Sequence, residues 1–316
     1  MPETKRRVAV TGATGFIGGH LVQALKDAAF EPRILSRRRV AGGLPEGTEV
    51  VTGSLGDEDS LSELVAGADA VVHCAGLIKG VDRRALQEVN VAGTRLLAQV
   101  AARQAVPPRF VFLSSLAARH PQVSGYAASK RAAEEELSRF GPGLPWTILR
   151  PPAVYGPGDR ESLQFFSFMR RGIFPVPRVR DARVSLIYVG DLCDALAALL
   201  RAEDTQGRVF EVSGPALEGH SWQALAAAGS RVLGRPVSCL AVPRFVMQGI
   251  AIGSDMIARL TGRTPSLTRD KVGELYHADW VCNADALSTA TGWQPKIDLD
   301  EGMSRTLRWY KDNGWL

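Results

Sequence analysis

The sequence predicts an α/β protein: a doubly wound parallel sheet with helices on both faces, followed by a smaller mixed α/β lobe. Three observations predict it. Short β-branched runs alternate with amphipathic stretches through the first half of the chain. A glycine-rich loop joins the first such run to the first helical stretch. At 316 residues the chain can also bury a substantial core.

The first strand is expected at Val8–Thr11 and the first helix over Phe16–Ala28. Between them lies TGATGFIGGH, residues 11–20, with Gly12, Gly15 and Gly18 at intervals of three. After a strand, the first glycine permits a tight turn and the second lets backbone approach a pyrophosphate. The third allows close helix–strand packing. Free N–H groups and the dipole at the helix N-terminus then hold the anion. Nucleotide binding is therefore expected here rather than an ordinary βα turn.

Further strands are expected at Arg33–Leu35, Glu49–Thr52, Ala70–His73, Phe110–Leu113 and Trp146–Leu149. Amphipathic helical stretches cover Asn90–Arg103 and Tyr126–Phe140. Pro151-Pro152, Gly156-Pro157-Gly158 and Pro175–Pro177 then punctuate a less regular region. The expected division is a dinucleotide-binding domain over 1–171 and a substrate lobe over 172–316, with about 183–212 returning to the main sheet.

Composition narrows the function. A hydrophobic fraction of 45% and a charged fraction of 22% are ordinary for a globular protein. The net charge of +5 is dispersed apart from Ser36–Arg39 and Arg178–Arg183, which does not point to a nucleic-acid face. Cys74, Cys193, Cys239 and Cys282 lie far apart, and the histidines show no ligand spacing, so neither a disulfide framework nor a metal site is expected. MPETKRR runs into a strand without a signal-like apolar stretch, and no segment approaches the ~20 apolar residues of a spanning helix. A reduced, cytoplasmic protein without stable membrane insertion is expected.

The spacing G-x-x-G-x-x-G in TGATGFIG resembles the cofactor loop of the short-chain dehydrogenase/reductase superfamily, particularly its extended branch. That branch includes nucleotide-sugar epimerases and dehydratases, dihydroflavonol reductases and 3β-hydroxysteroid dehydrogenases. The likeness runs nearly end to end, through VVHCAG (71–76), VNVAGTRLL (89–97), RFVFLSS (109–115) and YAASK (126–130). LRPPAVYGPGD (149–159), IYVGDL (187–192) and the closing TGWQPKIDLDEGMSRTLRWYKDNGWL continue it. The resemblance implies a Rossmann-type fold with Gly12, Thr14, Gly15, Phe16, Ile17, Gly18, Ala75, Gly76, Pro151 and Val154 lining the cofactor.

At the end of the second strand, NAD-binding folds usually carry an acidic residue for the ribose 2′-hydroxyl. Ser36 stands there, followed by Arg37 and Arg38. A carboxylate repels a 2′-phosphate, whereas arginine pairs with it, so NADP(H) is expected over NAD(H). Gly53-Ser54-Leu55 replaces the Gly-Asp-Leu that many relatives carry near the adenine, leaving Ser54 and Leu55 as the expected contacts.

Tyr126 and Lys130 are four apart on a helix, hence on one face. A phenol of pKa about 10 is a poor base at neutral pH. A nearby ammonium and the nicotinamide's positive charge favour the phenolate and are expected to lower it. By resemblance, Tyr126 exchanges a proton with substrate oxygen as hydride passes to or from the nicotinamide. Lys130 also holds the nicotinamide ribose, and Ser115 hydrogen-bonds the same substrate oxygen, with Ser114 as the alternative. Asn90 supports the lysine through backbone geometry or water.

Ser115 and Tyr126 are only 11 residues apart, where epimerase-like members usually carry a longer insertion. The short form resembles atypical members, including a respiratory complex I accessory subunit that binds NADPH without established turnover. The expected activity is an NADP(H)-dependent interconversion of secondary alcohol and ketone on a small, apolar molecule. The alternatives are a nucleotide-sugar epimerase or dehydratase with tightly bound NAD(P), and a non-catalytic NADPH-binding subunit. The resemblance also implies a homodimer.

Nucleotide-sugar members often place an arginine before the segment matched by IYVGDL to meet a diphosphate; here Arg183 is the candidate, or else a solvated turn charge. Val242–Leu260 reads as a helix covering the core of the lobe, or as an apolar pocket wall or a patch touching lipid. Residues 265–283 are expected to close the cleft, with Tyr276 and Trp280 as contacts or as core packing.

Overall fold

Alternation along each strand decides which face of the main sheet its side chains cover. In the computed structural model, which describes residues 6–40, 42–78, 82–261 and 267–316, the first strands are β1 (Arg7–Thr11), β2 (Glu31–Ser36) and β3 (Glu49–Thr52). They continue with β4 (Ala70–His73), β5 (Arg109–Leu113) and β6 (Trp146–Arg150). Each expected strand is present, extended by up to three residues.

Val8 and Val10 of β1 enter one core and Ala9 the other, while Val111 and Phe112 of β5 divide in the same way. Helix α1 (Phe16–Asp27) covers the first face with Leu21, Val22 and Leu25. The second face is covered by α2 (Glu58–Val65), then by a continuous helical run and by α5 (Gly125–Ser138). That run comprises α3 (Arg83–Leu86), a π-helical turn at Gln87–Ala92 and α4 (Gly93–Ala102).

After β6 come β7 (Ala153–Tyr155), α6 (Arg160–Met169), β8 (Ile173–Pro177), β9 (Arg183–Val184), β10 (Leu186–Tyr188) and α7 (Val189–Leu199). Helix α7 packs on α1 in the first core. The next strand, β11 (Arg208–Glu211), pairs in parallel with β6. The sheet order is therefore β3-β2-β1-β4-β5-β6-β11, parallel throughout. The order reverses between β1 and β4, and a crevice at the carboxyl ends of those strands is where such sheets bind ligands.

The lobe adds β12 (His220–Ser221), α8 (Trp222–Leu233), β13 (Ser238–Val242), α9 (Arg244–Thr261) and α10 (Arg269–Leu275). Then follow β14 (Asp279–Trp280), α11 (Asp285–Thr291) and α12 (Leu299–Asp312). Its core gathers Tyr155, Phe166, Met169, Phe174, Leu225, Leu307 and Tyr310, so α6 packs with the lobe. The Tyr310 hydroxyl donates to the Asp159 carbonyl, and the Asp159 carboxylate caps α6 by accepting from Glu161 and Ser162 N–H.

Candidate active site

The glycine turn is built by close approach. Gly12 has φ +76°, and a Cβ there would lie 2.6 Å from Ala75 N. A Cβ on Gly18 would lie 2.1 Å from Gly12 O, inside any contact distance. The chain's own packing thus demands both glycines. Gly15 differs: it is exposed, and its Cβ would press only on Gly12 O, at 3.2 Å. It caps α1 without a side-chain bond. Thr14 beside it is exposed, and Phe16 and Ile17 are half-buried. A bare backbone at a helix N-terminus suits a phosphate, so this turn fits a dinucleotide.

Beneath the turn runs a buried hydrogen-bonded chain. Ala75 N–H donates to Thr11 Oγ1 at 3.3 Å, and Thr11 Oγ1 lies 2.6 Å from His73 Nδ1. His73 Nε2 lies 2.8 Å from Thr94 Oγ1, which donates to Asn90 O at 2.6 Å. Because Thr94 has given its proton to Asn90 O, it accepts from His73 Nε2–H, and Nδ1 accepts from Thr11. Burial, with the Lys130 charge adding repulsion, drives the imidazole down to about 3. His73 is neutral at physiological pH.

Asn90 sits in the π-helical turn. Its Oδ1 accepts from Leu77 N–H at 2.7 Å, and its Nδ2 donates to Leu77 O at 3.0 Å and Ser129 Oγ at 2.9 Å. The side chain fastens the loop through Ala75 and Gly76 to α5, acting on the residue next to Lys130.

Ser124 caps α5, accepting from Ala127 N–H at 2.9 Å, which puts Tyr126 in the first turn and Lys130 one turn on. The Tyr126 hydroxyl faces the Ser115 side chain. Burial pushes the phenol up to about 12, against the lowering effect of Ser115 and together with the Glu274 charge. This differs from the lowered value expected of the Tyr–Lys pair, because in the protein alone desolvation outweighs the lowering by Ser115.

Lys130 is buried, donates to Leu113 O at 2.7 Å and lies 4.1 Å from the Phe112 ring centroid. Burial brings its ammonium down to about 8, against the attraction of Glu134 and Cys74. Of the two candidate serines, Ser114 is taken up elsewhere: its hydroxyl donates to Glu134, which Arg150 also holds, with Nε–Oε1 2.9 Å. Pro151 O accepts from Leu116 N–H at 2.8 Å, holding Pro151 beside the serine loop, and Val154 packs half-buried on the first core.

Sequence reasoning passed over Thr11, His73, Thr94, Ser129, Glu134 and Arg150. The available signals were a histidine ending the apolar run Ala70–His73 and a glutamate beside the buried Ala133 and Leu137.

At the end of β2, the Ser36 hydroxyl donates to Arg38 O at 2.7 Å. It shapes the turn that carries Arg37 and Arg38 instead of pointing a free hydroxyl at a ribose. Arg37, Arg38 and Arg39 are exposed, and no described carboxylate pairs with them. Gly53 N–H donates to Ser36 O at 2.9 Å, keeping half-exposed Ser54 next to this turn, and Leu55 packs against Gly93.

Residues 8–213 match the model of the NAD dependent epimerase/dehydratase family. The chain belongs to this family. A ceramide reductase of Caulobacter vibrioides is 37% identical over 312 residues, covering 98% of this chain and 96% of the relative. A UDP-glucose 4-epimerase of Vibrio cholerae is 27% identical over 333 residues, covering 95% and 94%. The UDP-glucose 4-epimerase of Thermus thermophilus in complex with NAD superposes with a TM-score of 0.71 at 23% identity, covering 96% and 99% of the two chains. As a member of the NAD-dependent epimerase/dehydratase family, the chain has the Rossmann-type fold and is an enzyme of the extended short-chain dehydrogenase/reductase type.

In this family member the short connection from Ser115 to Tyr126 forms two 3-10 turns, Leu116–Arg119 and Pro121–Val123, and α10 lies across it. A Cβ on Gly273 would fall 2.4 Å from Val123 O. Ser124 donates to Glu274 at 2.6 Å, and Asp270 accepts from Gly125 N–H at 2.6 Å. Trp280 donates from Nε1 to Glu274 O at 2.8 Å, and its ring lies 5.7 Å from that of His120. The Tyr276 hydroxyl instead donates to Val242 O at 2.5 Å, and Arg183 donates to the Glu218 and Gly219 carbonyls at 2.9 and 3.3 Å. Pro265 and Ser266, at the start of the expected closing segment, lie outside the described residues.

Proposed function

We propose that this enzyme interconverts a secondary alcohol and a ketone on an apolar, lipid-like substrate with NADP(H). The placement of Tyr126 facing Ser115, beside an anchored Lys130, carries the reading. When bound, reduced nicotinamide supplies hydride to the carbonyl carbon. Tyr126 then gives its hydroxyl proton to the carbonyl oxygen as that oxygen gains the C–O electron pair, and Ser115 hydrogen-bonds the same oxygen. The Lys130 ammonium favours the tyrosinate that remains, until solvent returns the proton. Ketone, NADPH and one proton thus give alcohol and NADP⁺. A phenol held at about 12 stands protonated at neutral pH, the state that reduction needs.

Three observations support the cofactor and substrate class. The second strand ends in Ser36 with exposed Arg37 and Arg38, which suits a 2′-phosphate. The 37% identical relative bears the name ceramide reductase. Arg183, the arginine available for a sugar diphosphate, is engaged by the Glu218 and Gly219 carbonyls.

The test is calorimetric titration with NADPH and NADH, after mass spectrometry of anything that co-purifies, then NADPH oxidation with long-chain ketones. Tight NADPH binding to empty protein and turnover are expected. Tyr126→Phe should lower kcat by about 10²–10⁴-fold with NADPH affinity nearly unchanged. A nicotinamide already lodged in the protein, without net redox change, would select the epimerase. NADPH binding without turnover would select a non-catalytic subunit.

A further inference from the structure

Helix α9 turns its apolar side outward. Among its described side chains only Ala251 is fully buried, with Met247 and Ala258 half-buried at helical spacing on the same face. Phe245, Ile252 and Met256 recur at i, i+7 and i+11 and are 74%, 44% and 58% exposed. Val246 and Ile250, at i and i+4, form an exposed stripe beside them. A helix packed on a water-soluble core shows the reverse arrangement. The expectation that this segment covers the core of the lobe therefore holds only for the Ala251 face.

The apolar surface continues beyond the helix. Strand β13 pairs with β8 in the register Ser238↔Ile173 and Leu240↔Pro175, which puts exposed Ile173 and Leu240 on one face of the ribbon. Val242 and Pro243 then lead directly into α9. On α6, which packs on β8, Phe165 and Phe168 are exposed as well.

Arginines border this surface. Arg170 and Arg171 follow α6, Arg178 follows β8, Arg235 precedes β13 and Arg244 opens α9. All are exposed, and none forms an ion pair with a described residue. Arg235 donates from its guanidinium to Arg170 O at 2.6 Å, and Arg178 N–H donates to Val242 O at 2.9 Å, so these residues stand at the ends of the ribbon.

We infer that this face docks on the surface of an anionic phospholipid bilayer. Phe245, Ile252 and Met256 enter the acyl boundary while the arginines meet headgroup phosphates, the pattern of an interfacial helix. No described helix is long and apolar enough to cross a membrane, so α9 lies in the interface. A second copy is the less suitable occupant, because a two-fold contact repeats the same patch on both sides and sets arginines against arginines. The inference stands apart from the proposed reaction. Its consequence for that reaction is positional: α9 packs on α10, which covers the turn carrying Tyr126.

The experiment is flotation of the full chain with vesicles of phosphatidylglycerol and phosphatidylcholine, and with vesicles of phosphatidylcholine alone. Binding to the anionic vesicles is expected, weaker by about tenfold or more on neutral vesicles or in high salt. The combined variant Phe245→Glu, Ile252→Glu and Met256→Glu changes only exposed positions and should lose about tenfold or more of the anionic binding. Its circular dichroism and NADPH affinity should stay those of the parent. Failure of the parent to float with either vesicle overturns the inference, as does a variant that floats equally well. A parent dimer that the variant converts to monomer assigns the face to a second copy instead. NADPH titration of the same preparations reads the cofactor proposal separately, so the two can fail independently.

Discussion

The Thr11 hydroxyl donates to His73 Nδ1 at 2.6 Å, joining the carboxyl ends of β1 and β4 directly below the glycine turn. The two residues are register partners across the sheet, so the bond forms where the strand order reverses. Through Thr94 it continues to the helix that carries Asn90. The loops that would hold a dinucleotide are thus tied to one another by buried groups as well as by packing.

That network makes stability depend on pH. The His73 imidazole has its ordinary value of 6.5 when unfolded and about 3 when folded. Its contribution is therefore present above 6.5 and lost as pH falls toward 3, because only the unfolded chain takes the proton there. The slope is about 1.4 kcal/mol per pH unit. Urea denaturation at pH 6.5 and 5 should show it, and His73→Gln should remove that part of the difference. The same pH dependence in both proteins would mean that the histidine is not its source.

The glycines should separate fold from binding. Gly18→Ala sets a Cβ 2.1 Å from Gly12 O and should destabilise the chain, whereas Gly15→Ala meets only a relievable 3.2 Å contact. We expect Gly15→Ala to melt near the parent temperature and to bind NADPH at least about tenfold more weakly, through loss of phosphate contact. Unchanged affinity would remove the pyrophosphate from this turn.

Arg37 tests the proposed 2′-phosphate contact. Replacing a charge-assisted pair by a like charge, Arg37→Asp should weaken NADPH by about 10–100-fold while leaving NADH nearly unaffected. Equal effects on the two cofactors, read by calorimetry, would sink the assignment.

Glu134 joins Ser114 and Arg150 in a buried cluster. Glu134→Ala leaves the Arg150 charge without its partner and should cost about 3–5 kcal/mol in denaturant unfolding. The pair Glu134→Leu with Arg150→Met should recover much of that loss. A single variant as stable as the parent would show that the cluster contributes nothing to the fold.

Much of this architecture was legible in the sequence. Strand boundaries fell within three residues because β-branched alternation and turn punctuation are local signals. The glycine spacing and the four-residue step from Tyr126 to Lys130 are local too, and each carries its own geometric consequence. The raised Tyr126 value is not legible there, because desolvation depends on what surrounds the phenol, which spacing does not report.

What the sequence by itself determined was the order of strands and helices, the glycine turn and the helical face shared by Tyr126 and Lys130. Only the tertiary structure decided that Ser115 meets Tyr126 while Ser114 joins Glu134, that Asn90 holds Leu77 and Ser129, and that α9 presents Phe245 and Met256 to solvent. The physical reason is separation along the chain. Periodicity fixes which way a side chain points from its own element, but its partner is set by how the sheet order and the lobe bring distant elements together.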